Sequence, residues 1–266
     1  MREVRLLTGA LLLTVFLFAG IAFATPSTTY WTPATTDIQP FGVLHIGVDN
    51  YFTVFRKAKD GASAFGTDVG LTMGVLPFEK LQMEVGIDTV EPTDHPIFFN
   101  AKLGTPENSL FSGSPALNLG IFNVGTKKDV TNQNIVHFMV GKTIPPLGRF
   151  FAGPYIGNRK ALVDKNGEKE NTGFMIGYDR GFLPAKDKEG NEYKRLVLAA
   201  DYASGKNSIG GGGVGLYYYF TPTISLLTGP VWFNEKEING KWKWTVQLDI
   251  NMDLVKGFKT LFGGDK

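Results

Sequence analysis

His45, His95 and His137 are the only imidazoles in the chain, and cysteine is absent. Zinc sites need His and Cys at short fixed spacings, and three histidines in three separate segments supply none, so neither a metal site nor a cofactor is expected. Gly141-Lys142-Thr143 matches the end of a phosphate-binding loop, but Val136 stands where that motif needs its first Gly. Asp164-Lys165-Asn166-Gly167-Glu168 carries calcium-type oxygens, yet Lys169 occupies the sixth-position Gly, and a hairpin turn accounts for the stretch. His137 is the one candidate for Ser/His hydrolysis. It shares a side with Met139 and Gly141, opposite apolar Val136, Phe138 and Val140, and no motif sets a serine beside it. It therefore reads as inward-facing, not catalytic. What remains is a set of charges on the polar side of alternating segments: Asp49, Asp68, Glu84, Asp88, Asp179, Asp201 and Asp249 against Lys102, Arg149, Arg195 and Lys243. Along a confined aqueous channel such an acid excess concentrates cations; paired across the lumen, the same charges would close it.

The elements that must position these groups are strands. In Trp242–Met252 every even residue is apolar and every odd one polar or charged; 81–88 and 68–75 repeat the code. In 210–220, Val214, Leu216, Tyr218 and Phe220 share one side, while Gly211, Gly213, Gly215, Tyr217 and Tyr219 share the other, where small groups leave space. A soluble sandwich also alternates. Segments of about ten alternating residues with aromatic ends, a polar inner face and intervening turns are instead the pattern of a transmembrane β-barrel, since lipid cannot solvate polar side chains. About twelve such segments are expected, near 41–55, 66–76, 80–89, 96–104, 115–124, 134–143, 148–157, 172–180, 193–202, 209–220, 224–233 and 241–252. With a periplasmic start, the periplasmic turns fall at Pro77, Pro106, Pro145-Pro146, Pro184 and Pro222, and Lys-, Gly- and Asn-bearing connections face outward.

Composition agrees. A net charge of +2, 20% charged and 13% aromatic residues and 33 Gly exclude a disordered polyelectrolyte and a basic nucleic-acid groove. A mean hydropathy of -0.04 excludes a helical membrane bundle. Arg2 and Arg5, the apolar run to Phe23 and Ala22-Phe23-Ala24 read as a signal peptide over 1–24, cut after Ala24; an uncleaved anchor is the alternative. Residues 25–40, Thr/Pro-rich with Tyr30 and Trp31 as their large apolar groups, read as a lead-in segment or partial plug, and 41–252 as an all-β, closed antiparallel barrel. In 253–266, Leu254, Val255, Phe258, Leu261 and Phe262 share one helical face, which suggests a short amphipathic helix or else a frayed tail.

Asp201-Tyr202-Ala203-Ser204-Gly205-Lys206-Asn207, the Gly-rich strand after it and Phe220-Thr221-Pro222 resemble bacterial outer-membrane β-barrels of the porin-like class. The resemblance implies an outer-membrane location in a Gram-negative type envelope. It also implies contact with outer-membrane lipid and lipopolysaccharide, and insertion by the barrel-assembly machinery. The chain departs from the class in continuing past its last strand instead of ending it on an aromatic residue. The expected function is a passive or weakly cation-preferring channel for small polar solutes. A lipid-modifying outer-membrane enzyme and a structural barrel with a plugged lumen are the alternatives.

Overall fold

The computed structural model describes residues 29–255. The expected signal peptide, residues 25–28 and the tail from 256, with most of its expected helix, lie outside the described residues. Twelve strands follow one another: β1 (Val43–Phe52), β2 (Thr67–Gly74), β3 (Gln82–Glu91), β4 (Ile97–Thr105), β5 (Ala116–Gly125), β6 (Asn132–Ile144), β7 (Gly148–Ile156), β8 (Thr172–Lys186), β9 (Glu192–Ala203), β10 (Gly211–Thr221), β11 (Ile224–Phe233) and β12 (Lys243–Asp253). Each expected segment overlaps one of them. Every strand pairs antiparallel with its sequence neighbours, and β1 closes on β12 from Val43↔Asp253 to Phe52↔Trp244, so no edge is left unpaired.

Up-and-down order puts all odd-to-even connections at one end and all even-to-odd connections at the other. The even-to-odd turns, including 145–147 and 222–223, share an end with the start of β1; the longer loops, such as 53–66 and 157–171, occupy the opposite end. These are called the turn end and the loop end below.

The period of two sorts side chains by face. On β6, Val136, Phe138 and Val140 are exposed while Ile135, His137 and Met139 are buried. Val69, Leu71, Val85, Phe99, Leu119, Phe150, Phe174, Ile176, Leu216 and Phe220 continue the exposed apolar surface around the barrel. Water tolerates no such continuous belt, whereas bilayer hydrocarbon requires it. On β12, Lys243, Thr245, Gln247 and Asn251 are buried, but Met252, expected on the lipid side, is buried too. There the chain folds back on the start of β1, with the Leu254 N–H donating to the Gly42 carbonyl at 2.9 Å.

The interior departs more sharply from a polar wall. Ile135, Met139, Phe151, Tyr155, Met175 and Ala203 pack with Ala34 of the N-terminal segment and Leu162 of the β7–β8 loop into one apolar core. Val197, Ala199, Tyr217, Tyr219 and Leu227 pack around Tyr30 into a second. These clusters fill much of the β6–β11 side of the lumen, leaving there a recess of about 490 Å³ toward the turn end beside Arg149, Asp179, Val197 and Tyr219, and a further cavity lies against β1–β6.

Candidate functional site

The N-terminal segment runs the length of the lumen. At the loop end Trp31 packs edge-on against Tyr51 and Phe233; at the turn end Phe41 bridges to Gly74. Tyr30, Thr32, Ala34, Thr35, Thr36 and Ile38 are buried, with Tyr30 at 0% exposure, and Trp31, Pro33, Thr35, Asp37 and Gln39 border the cavity against β1–β6. The wall makes room with glycine. A Cβ on Gly141 would strike Thr36 Oγ1, one on Gly177 the Ala34 carbonyl, and one on Gly213 the Tyr30 side chain. The space expected from the inward glycines is thus occupied by the chain itself.

Charged and polar wall residues hold the segment in place. The Asp201 carboxylate accepts the backbone N–H groups of Tyr30, Trp31 and Thr32, the last two at 3.1 and 3.2 Å. Three successive amides on one carboxylate are a charge-assisted anchor of the kind that satisfies buried donors. Gln247 Nε2 and the Tyr51 hydroxyl donate to the Tyr30 carbonyl at 3.1 and 2.9 Å. Arg149 binds Asp37 with two nitrogens, at 2.7 and 2.9 Å, and turns its Nε to Asp179 at 2.9 Å. Lys102 pairs with Glu84 at 2.7 Å and donates to the Asp37 carbonyl at 2.7 Å, while Glu84 accepts the Gln39 N–H at 2.6 Å. Asn118 Nδ2 donates to the Thr35 carbonyl at 2.8 Å.

The expected pore-lining charges therefore divide into groups. Glu84, Lys102, Arg149, Asp179 and Asp201 hold the segment. Lys243 is sealed off, with Nζ on Ser63 Oγ at 2.8 Å and above the Phe65 ring. Arg195 is exposed, its guanidinium 3.5 Å from the Tyr193 hydroxyl, and lies outside the cavities; β9 there has passed its last pairing with β10 at Leu196. Asp49, Asp68, Asp88 and Asp249 gather on β12, β1, β2 and β3. The pairs Gly47↔Asp249, Gly47↔Gly70 and Gly70↔Asp88 put two glycines side by side between carboxylates, and Asp49↔Asp68 forms the next row. Asn100 donates to Asp88 at 2.8 Å, and His45 Nε2 lies 3.5 Å from Asp249 Oδ1. Among the described residues no Lys or Arg comes within ion-pair distance of these four.

This acidic corner opens on a cavity of about 560 Å³ between the segment and β1–β6, and Asp49, Asp68, Asp88 and His137 all line it. His137 is 2% exposed, and neither ring nitrogen has a hydrogen-bond partner, so no serine is placed to be activated by it. Asp37 and Gln39 had no signal in the sequence, since a single extended segment inside a barrel needs no repeating code of its own; Asn118 follows the alternation of β5, which gives its face but not its partner.

Two other expected features resolve into local structure. The Asp164 carboxylate accepts the N–H groups of Glu168 and Asn166 at 2.9 and 2.8 Å, and Gly167 turns at φ +79°, so this stretch is a hairpin tip. Those bonds, that from Glu168 foremost, hold its carboxyl below the ordinary range. In Asp201–Asn207, Ser204 accepts the Tyr155 hydroxyl at 2.6 Å, and Asn207 Nδ2 donates to the Glu170 carbonyl at 2.5 Å, tying the end of β9 to the β7–β8 loop.

No family model matches the chain, and no curated protein matches it in sequence. Its fold is similar to that of an outer-membrane channel from Pseudomonas putida F1, at 10% identity over 83% of this chain and 98% of that one, with a TM-score of 0.44. It is also similar to Salmonella typhi OmpF in complex with daunomycin, at 7% identity over 79% of this chain and 96% of that one, with a TM-score of 0.39. LpxR from Salmonella typhimurium matches at 10% identity over 79% and 99%, with a TM-score of 0.36. The likeness is one of barrel architecture alone.

Proposed function

We propose that this chain is an outer-membrane β-barrel whose lumen, narrowed by its own N-terminal segment, passes small polar solutes and favours cations. The supporting observation is the sorting of charge. Arg149 and Lys102 are matched by Asp37, Asp179 and Glu84, whereas Asp49, Asp68, Asp88 and Asp249 face the remaining space with His45 as their nearest basic group. Fixed charge of one sign in a confined space with low-dielectric walls raises the local concentration of its counterion. In this reading the exposed apolar belt contacts outer-membrane lipid, the Lys-bearing loops at 127–128 and 159–169 meet lipopolysaccharide, and the barrel-assembly machinery inserts the chain.

The test is conductance of the purified barrel in planar bilayers under a potassium chloride gradient. A reversal potential of cation-preferring sign is expected, moving toward zero in the Asp49→Asn/Asp68→Asn variant. Anion preference overturns the assignment of charge. The packed N-terminal segment favours a second reading, a structural barrel that conducts nothing, and absence of steady conductance selects it.

A further inference from the structure

The acidic corner is one wall of a cavity whose other walls carry unmade hydrogen bonds. Asp68 Oδ1, Gln39 Oε1 and both ring nitrogens of His137 are buried without a partner, and all three residues line the same 560 Å³ space. Buried polar atoms in folded proteins are overwhelmingly paired, so such a group around one cavity calls for an occupant. The missing partners have a definite character. A carboxylate and an amide oxygen only accept, while a neutral imidazole accepts at one nitrogen and donates at the other, so three of these four atoms ask for a donor. Together with the carboxylates of Asp49 and Asp88, they ask for positive charge and several N–H donors at once.

Toward the loop end the cavity is aromatic. Trp31 and Phe65 lie with ring centroids 5.6 Å apart and planes inclined by 30°, and Phe98 and Phe122 also line the space. Such faces accept the carbon body of a ligand and attract cations. A volume of this size suits a small organic molecule, and among the described residues no three carboxylates or imidazoles are grouped to hold a metal ion.

We propose that this cavity is a binding site for a small organic cation bearing N–H donors, a primary ammonium or guanidinium compound. The inference names the solute class for the passage proposed above and rests on the same acidic wall. Its test needs no membrane: titration calorimetry of the full barrel in detergent micelles with agmatine, which carries both groups, at constant ionic strength. Saturable one-to-one binding is expected. It should weaken at least tenfold in Asp49→Asn/Asp68→Asn and stay unchanged in Asp187→Asn, a substitution in the 187–191 turn.

Tetramethylammonium has the charge without N–H donors, and a large excess should fail to displace agmatine. Equal displacement by tetramethylammonium or sodium reduces the effect to screening and overturns the proposal, as does the absence of saturable heat. Heat-modifiable gel migration checks that the double variant is folded, and Asp68→Asn alone replaces it if it is not. Conductance without agmatine binding overturns the site and leaves the passage standing. Agmatine binding without conductance does the reverse.

Discussion

Replacing Arg149 by Met tests whether the N-terminal segment is held by charge. The guanidinium bridges two carboxylates, Asp37 of the segment and Asp179 of β8, whose side chains are only 12% and 5% exposed. Met keeps much of the aliphatic bulk but leaves both carboxylates facing one another without their cation. Removing one partner from a buried ion pair costs about 3–5 kcal/mol, because the remaining charge loses water and partner together. Release of Asp37 to solvent relieves that cost, so the opening equilibrium around residues 33–39 should shift by roughly two to three and a half powers of ten, at about 1.4 kcal/mol per tenfold.

The anchors on Asp201 are untouched, so Tyr30–Thr32 should stay docked. The chain has no cysteine, which makes single-cysteine labelling clean. Thr36→Cys should react with a water-soluble maleimide at least a hundredfold faster in the Arg149→Met background, and Thr32→Cys no more than a few-fold faster. Labelling reports the open population when reclosing is fast relative to modification. No acceleration at position 36 refutes the electrostatic account; equal acceleration at both positions shows instead that the segment moves as one unit.

Two further outcomes follow from the barrel wall. Leu248 sits at mid-strand between Val48 and Leu226, so Leu248→Arg should cost about 2–4 kcal/mol in the bilayer and reduce the carbonate-resistant, heat-modifiable fraction in membranes. Gln247→Arg, neutral if that side chain merely faced an open channel, should instead raise Thr32→Cys labelling, because Gln247 is buried and its Nε2 donates to the Tyr30 carbonyl, a bond the substitution removes. At the turn end, burial opposes ionisation of Glu107, but Lys142 and Thr143 hydrogen bonds outweigh it and hold the carboxyl below its ordinary value. A lowered folded-state value means stabilisation present above the ordinary carboxylate range and lost as pH falls through the lowered one. The mobility of a spin label attached at Ser109→Cys should therefore rise in that acid window for the native turn, and show no such step in Glu107→Gln.

The barrel was legible because its exterior answers to a single solvent. Lipid demands apolar groups across the middle of the outward face, so period two is plain in strands such as β6, in Val136-Phe138-Val140, and β12, in Trp244-Val246-Leu248. The interior answers to several neighbours and lacks a uniform code. Inward Asp49 and Asp68 border open space, inward Asp201 is consumed by backbone amides, and inward Met139, Met175 and Leu227 belong to apolar cores. Parity placed these side chains on the correct face without revealing what they meet there. Gly213, on the side where small residues leave space, signalled room but not that the protein's own chain would take it. Asp37 carries no pattern at all, since its partner Arg149 lies more than a hundred residues away and only closure of the barrel brings them together.

The segment is covalently continuous with β1 through Pro40–Gly42. A docked strand on so short a tether stays in the vicinity of its seat at an effective concentration on the order of millimolar, whatever the abundance of the protein. Each detachment is therefore met by rapid unimolecular return, and a separate peptide carrying residues 29–40 would need comparable concentrations to take its place. Occupancy of the lumen by the segment is then set by the anchors along the wall, and it is independent of how many copies the membrane holds.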